Sequence, residues 1–288
     1  MHANQQTPIA FLGIGLMGTR MASRLLQAGY TVAVWNRSQH ACEALIQQGA
    51  TQLELDKIAQ YPIILICLAD DQAVQSVFDQ IQPYLKAEQV IVDFSSLSVT
   101  ATQQLAQSAQ QQQVTWIDSP VSGGTIGAEQ GRLVIFAGGD EHTIQALEPI
   151  YKVLSQRVTR MGETGTGQAT KICNQLIVAA NSTLIAEAVA LADHAGVDTS
   201  LLAPALAGGF ADSKPFQILA PRMATHTFEP VQWKVQTLSK DLNNALKLAH
   251  SFNLNIPVAQ KALLQLQAHQ ENGFADNDLA TIIQYIEQ

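Results

Sequence analysis

Short stretches of this chain carry residue types at spacings that could do chemistry. Gly13-Ile14-Gly15-Leu16-Met17-Gly18 is a GxGxxG run that follows a strand-like segment and opens a helical pattern. In that spacing the first glycine permits a tight turn, and the second lets a pyrophosphate approach the backbone. The third allows close packing of a helix whose positive end faces the phosphates. All six residues are therefore candidate contacts of a dinucleotide. An unliganded glycine turn is the bland alternative, and the strand–turn–helix context argues against it. About twenty residues on, where an acidic side chain would bond the ribose hydroxyls of NAD, the chain reads Asn36-Arg37-Ser38. Neutral Asn36 does not repel a 2′-phosphate and Arg37 offers it a forked, charge-assisted grip, so NADP is preferred to NAD. The competing reading has Arg37 solvated or stacked on adenine.

Two later stretches suit a substrate. Asp118-Ser119-Pro120-Val121-Ser122-Gly123-Gly124 places one hydroxyl, that of Ser122, beside the unobstructed amides of Gly123 and Gly124. Successive N–H groups and a hydroxyl form a concavity for a carboxylate without needing net positive charge. Ser-Gly-Gly turns are common, so alone this signal is weak. In Gly165-Thr166-Gly167-Gln168-Ala169-Thr170-Lys171-Ile172-Cys173-Asn174, Lys171 and Asn174 share a helix face at i and i+3. A cation near the start of an apolar helix opposes the dipole and loses hydration unless it snorkels to water. Burial and a nicotinium charge would lower its pKa, which suits a proton donor or acceptor near neutrality. Asn174 would orient Lys171 or a substrate hydroxyl. Lys240, beside Asp241 in a helical stretch, faces cofactor or solvent, and its own surroundings favour solvent.

The elements that must position these groups are legible as alternation. Strand-like runs at Ile9 to Leu12, Thr31 to Trp35, Ile63 to Cys67, Val90 to Asp93 and Val114 to Ile117 are separated by amphipathic stretches. That pattern predicts a Rossmann-type α/β domain, a doubly wound parallel sheet with helices on both faces. Gly29 should cap the first helix in a left-handed conformation, and Leu133 to Ala137 reads as a late strand. Glutamine-rich 103–113 keeps the Leu105 and Ala109 spacing of a surface helix. Beyond Gly162 comes a helical pattern of roughly 25 residues with almost no charge, expected to be buried on most sides and to join two domains. Further helical patterns fill 199–207, 213–224, 234–251, 257–270 and 276–287, so the second domain should be all-α. The expected division is 1–165 and 166–288.

Composition narrows the function classes. With 288 residues, 47% of them hydrophobic and 14% charged, two packed domains are expected. A net charge of -8 disfavours a nucleic-acid backbone as partner. Cys42, Cys67 and Cys173 are scattered through apolar stretches and read as buried thiols, with no metal-type pairing. Met1 to Pro8 has neither the basic nor the apolar region of a secretion signal, from which a cytoplasmic location is expected. The longest unbroken apolar run, Ile63 to Ala69, is too short to span a bilayer, and 176–192 is interrupted by Asn181 and Glu187, so no membrane partner is expected.

Together these segments resemble the β-hydroxyacid dehydrogenase family over nearly the whole chain. Phe-Leu-Gly-Ile-Gly-Leu-Met-Gly is similar to its cofactor signature, Asp-Ser-Pro-Val-Ser-Gly-Gly to its substrate loop, and Gly-x-Gly-x-x-x-Lys-x-x-Asn to its catalytic motif. Ser-Lys-Asp-Leu at 239–242 is similar to a fourth segment. The resemblance implies hydride transfer between a nicotinamide cofactor and a small 3-hydroxy acid or semialdehyde. It gives Lys171 the role of general acid or base, the carboxylate to Ser122, Gly123 and Gly124, and substrate positioning to Asn174. It puts Ser96 near the nicotinamide ribose and Lys240 beside the nicotinamide, displacing the solvent reading of Lys240. Ser98 stands where the family often has proline. Gly208 to Ser213 resembles a substrate-cleft segment of the semialdehyde reductases. Homodimers or homotetramers formed through the helical domain are also implied. An imine reductase on the same scaffold and a non-catalytic dinucleotide-binding module are the rivals, and Lys171 argues against both.

Overall fold

Short runs of β-branched and aliphatic residues form the strands, because each is flanked by turn residues and can be covered on both faces. A computed structural model of the protein describes residues 4–287. Its strands are β1 (Ile9–Leu12), β2 (Val32–Trp35), β3 (Thr51–Gln52), β4 (Ile63–Ile66), β5 (Val90–Asp93), β6 (Thr115–Asp118), β7 (Val121–Ser122), β8 (Leu133–Gly138) and β9 (Ser155–Gly162). They form one sheet in the order β3-β2-β1-β4-β5-β6-β8-β7, with β9 added beside β8. Every pair from β3 to β6 is parallel, β8 runs antiparallel to β6 and β7, and β9 is parallel to β8.

The chain divides into two compact units, Met1–Lys171 and Ile172–Gln288. In the first, side chains alternate along each strand and feed two cores. Ile9 and Phe11 point to one face with Met21, Leu25 and Ile150, while Ala10 and Leu12 point to the other with Val74, Phe78 and Leu105. The covering helices are α1 (Leu16–Gln27), α2 (Glu43–Gln47), α3 (Asp71–Ile81), α4 (Val99–Gln110), α5 (Gly124–Gln130), α6 (Glu141–Ala146) and α7 (Glu148–Leu154). The start of α8 (Thr166–His194) completes the unit. Gly29 follows α1 with φ of 85°, as its capping role requires, and the glutamine-rich stretch forms α4 over buried Leu105 and Ala109.

The second unit is helical, with the rest of α8 followed by α9 (Leu202–Leu206), α10 (Lys214–Ala224), α11 (Val235–Ser251), α12 (Pro257–His269) and α13 (Ile283–Ile286). Ala179, Ile185, Ala186 and Val189 of α8 share its core with Leu219, Met223, Leu242 and Leu266.

Four expectations needed correction. β9 was not anticipated: it is a sheet-edge strand whose Ser-Gln-Arg-Val-Thr-Arg-Met-Gly sequence is mostly exposed and lacks the apolar alternation by which strands are recognised. Cys173 is exposed, against the buried thiol expected there; Cys42 is buried, and Cys67 is half-buried as a residue although its thiol is desolvated. Nor is α8 buried on most sides, since Ile177, Leu184 and Leu191 leave 57, 61 and 73% of their surface open. By length and composition α8 is also apolar enough to cross a bilayer, against the expectation that no segment would be; 39% of its most apolar window is buried within the protein.

Candidate active site

The parallel register aligns the carboxyl ends of the strands. Leu12 pairs with Trp35 and Ile66, Ile66 with Asp93, and Asp93 with Asp118, so one row of strand ends fronts the loops that follow. Between β1 and β4 the strand order reverses, and at such a switch point an open α/β sheet offers a ligand crevice. Gly13 to Gly15 lies there. Gly13 has φ of 102°, and a Cβ on it would stand 2.2 Å from the Cys67 carbonyl oxygen. Gly15, the residue that caps α1, has nothing within 4 Å of its Cβ position, and no side chain caps the first N–H groups of the helix. An open helix amino end beside missing side-chain volume fits a pyrophosphate.

Asn36 holds this loop: its Oδ1 accepts the Ile14 N–H at 3.0 Å while its Nδ2 donates to the Ser38 carbonyl at 3.1 Å. Arg37 and Ser38 are exposed beside it. After β5, Ser96 is exposed between buried Ser95 and Leu97. Ser98 fastens this loop: its N–H and Oγ–H donate to Asp71 at 2.9 and 2.6 Å, and its Oγ accepts the Ala101 N–H to cap α4. Proline could make none of these bonds.

A buried polar cluster lies behind this loop, and sequence reasoning assigned it nothing. The Asp118 carboxylate accepts the N–H groups of Gly165 at 2.7 Å and Gln168 at 2.9 Å. Space around it is so tight that a Cβ on Gly167 would stand 2.4 Å from the Phe136 carbonyl and 2.7 Å from Asp118 Oδ2. The Gln168 carboxamide, fully buried, accepts the Leu97 N–H at 3.1 Å and donates to the Ser95 carbonyl at 2.8 Å. Asp93 accepts the Ser95 N–H at 2.9 Å through Oδ1, whereas its buried Oδ2 has no hydrogen-bond partner among the described residues. Burial pushes Asp93 up to about 7, against the lowering effect of Ser95, and Asp118 up to about 6, against its N–H donors. Desolvation, aided by the Asp93 charge, likewise pushes the Cys67 thiol up to about 12, so it is no nucleophile at neutral pH.

Of the expected substrate residues, Ser122 ends β7 half-buried, and Gly123 and Gly124 follow with φ of 127° and 62°, a left-handed pair that glycine supplies without strain. Lys171 is half-buried on α8, three residues beyond Gln168. In the second unit, half-buried Asn174 donates to Gln175 at 2.9 Å, and Gln175 donates to Asp241 at 2.6 Å. Gln175 and Asp241 were also missed, since their pairing spans 66 residues. Lys240 is exposed on α11, and in the Gly208 to Ser213 segment Phe210 is fully exposed while Ser213 caps α10. Among the described residues no group of three or more His, Cys, Asp or Glu side chains could hold a metal ion.

A doubly wound sheet with an open glycine loop at its switch point is the architecture of a dinucleotide-binding domain. Residues 8–162 match the model of the NAD binding domain of 6-phosphogluconate dehydrogenase, and residues 165–286 match that of the NAD-binding domain of NADP-dependent 3-hydroxyisobutyrate dehydrogenase. The chain is 34% identical to 2-hydroxy-3-oxopropionate reductase of Escherichia coli over 97% of each protein. The solved structure of Mycobacterium tuberculosis 3-hydroxyisobutyrate dehydrogenase with L-serine superposes with a TM-score of 0.90 at 25% identity, covering 98% of this chain and all of that one. An imine reductase from Pseudomonas sp. is also 25% identical, over 98% of this chain and 99% of its own, but with a TM-score of 0.65. The protein belongs to the β-hydroxyacid dehydrogenase family and is an NAD(P)-dependent oxidoreductase.

Proposed function

We propose that the protein interconverts a small carboxylate-bearing semialdehyde and its hydroxy acid, with NADP preferred to NAD and Lys171 as the general acid or base. The observation that carries this reading is Lys171 itself, held half-buried on α8 directly after a first turn that Asp118 and Gln168 fasten to the sheet. When bound, the reduced nicotinamide supplies the hydride to the carbonyl carbon. Lys171 Nζ holds the proton that the nascent alkoxide takes up, and in oxidation receives it back. Ser122 Oγ and the amides of Gly123 and Gly124 bind the carboxylate, and Asn174 orients the substrate hydroxyl. The residues from Gly13 to Gly18 cradle the pyrophosphate. Asn36, Arg37 and Ser38 receive the adenosine 2′-phosphate, and Ser96 and Lys240 serve the nicotinamide end.

The reading extends to organisation: a nucleotide-binding domain at 1–165, a substrate and oligomerisation domain at 166–288, and a cytoplasmic homodimer or homotetramer. Exposed Ile177, Leu184 and Leu191, spaced by seven on α8, support association through the second domain.

The test is NADPH and NADH oxidation with glyoxylate, succinic semialdehyde, 2-hydroxy-3-oxopropionate, methylmalonate semialdehyde and a cyclic imine, with Lys171→Ala alongside. Turnover of an acid aldehyde that falls by about 10² to 10⁴ in the variant, with NADPH binding kept, is expected. Reduction of the imine alone, undiminished in the variant, would make the protein an imine reductase. A silent protein that still binds NADPH would be a binding module.

A further inference from the structure

We infer that Gln168 is a positioning residue: its carboxamide couples the loop that carries Ser96 to the helix turn that carries Lys171. The inference rests on Lys171 being the proton donor. Gln168 is wholly buried, and its two polar atoms are both spent on one short backbone segment. Oε1 accepts the Leu97 N–H and Nε2 donates to the Ser95 carbonyl, so the side chain grips the chain on both sides of Ser96. These partners lie 71 and 73 residues away in sequence, so no local turn explains the contact. The backbone of the same residue is held independently, because Gln168 N–H donates to Asp118. A glutamine is the side chain that can donate and accept here at once without bringing charge among the buried carboxylates of Asp93 and Asp118.

Geometry turns this grip into a constraint on chemistry. Lys171 lies three residues after Gln168, and three residues advance a helix by about 4.5 Å, less than one turn. Asp118 prevents the first turn of α8 from moving along the sheet, and Gly167 and Gly138 close around that carboxylate too tightly for any other residue. The carboxamide then sets the distance between this turn and the Ser95–Leu97 backbone. A reaction that requires donor and acceptor in near-contact is sensitive to such a distance, and a displacement of about 1 Å can cost about 10²-fold in rate.

The test uses Gln168→Met, which keeps the volume and loses both bonds, and Gln168→Asn, which stays polar but is a methylene short. For each, amide hydrogen exchange is followed in peptides covering 95–98 and 165–171, with NADPH bound. Kd for NADPH, and kcat and KM for the acid aldehyde, are measured beside Lys171→Ala. Faster exchange in both peptides is expected, with kcat reduced about 10- to 100-fold while Kd and KM move little. Unchanged exchange overturns the coupling. Faster exchange with unchanged kcat overturns the positioning role, as does a loss confined to NADPH affinity or a pair of variants too unstable to bind NADPH. Should Lys171→Ala keep full turnover, the proposed proton donor fails, and the exchange data still decide whether Gln168 joins the two segments.

Discussion

Gly18 lies so close to Gly13 that a Cβ added to it would stand 1.9 Å from the Gly13 carbonyl oxygen. Gly15, between them, has open space at the same position and a backbone, φ -92° and ψ -163°, that other residues adopt readily. Within one fingerprint, then, Gly18 answers to packing, whereas no packing contact requires a glycine at Gly15.

This separation is testable by substitution. Gly18→Ala should destabilise the fold by at least about 1–3 kcal/mol, the usual cost of overpacking, because α1 must retreat from β1. Gly15→Val should unfold at the wild-type temperature yet lose NADPH binding. Thermal melts with and without NADPH distinguish them, and a Gly15→Val protein still stabilised by NADPH would remove the pyrophosphate from this loop.

Cofactor choice should separate at Asn36 and Arg37. Asn36→Asp keeps an acceptor for the Ile14 N–H but sets a carboxylate against the Ser38 carbonyl and repels a 2′-phosphate. On the proposed grip of Arg37 on the 2′-phosphate, Arg37→Ala should lose a charge-assisted bond worth about 1.5–3 kcal/mol, which corresponds to roughly a 10- to 100-fold rise in Kd. Fluorescence titration should show both variants weakened toward NADPH and little altered toward NADH. Equal loss for the two cofactors would mean that Arg37 stacks on adenine.

How much of this was legible in the sequence depends on how local the determinants are. β1, β4 and β5 were visible because each is a continuous apolar run between turn residues, and the glycine fingerprint because its geometry is confined to six positions. The Asp118 cluster was not: Asp118 reads as the first residue of a substrate loop, and its partners Gly165 and Gln168 lie 47 and 50 residues away. Cys173 misled for a different reason. Its apolar neighbours suggested burial, but α8 is apolar on its exposed side too, where Ile177, Leu184 and Leu191 lie. Ser98 was read only as a departure from a family pattern, whereas its bonds to Asp71 supply the restraint on the loop.

Asp93 should make the first unit less stable as pH rises. Its carboxyl moves from an ordinary 3.8 up to about 7 in the folded chain, first through burial, so between these values the folded state holds the proton more tightly. Stability from this group is fully present below about pH 4 and is lost by about pH 7, an effect on the order of a few kcal/mol. Asp93→Asn should match the wild type in acid and exceed it at pH 7.5, as chemical denaturation would measure. A variant less stable than the wild type at pH 7.5 would show that the ionised carboxylate is satisfied by partners.

His269 should act with the opposite sign in the second unit. Its ring stacks on Phe274 with centroids 4.3 Å apart, and Nε2 shares a hydrogen bond of 2.8 Å with Thr281, while buried Nδ1 has no hydrogen-bond partner among the described residues. Desolvation lowers the imidazole from 6.5 to about 4, so the unfolded chain takes up its proton first as pH falls. The stability it contributes is present above about pH 6.5 and drains away toward pH 4. A titration of the histidine ring resonances should leave His269 neutral at pH 5.5. Hydrogen exchange should show α12 loosening over the same range in the wild type and not in His269→Gln. If His269 instead titrates near 6.5, its site is open to water and the burial that sets this slope is absent.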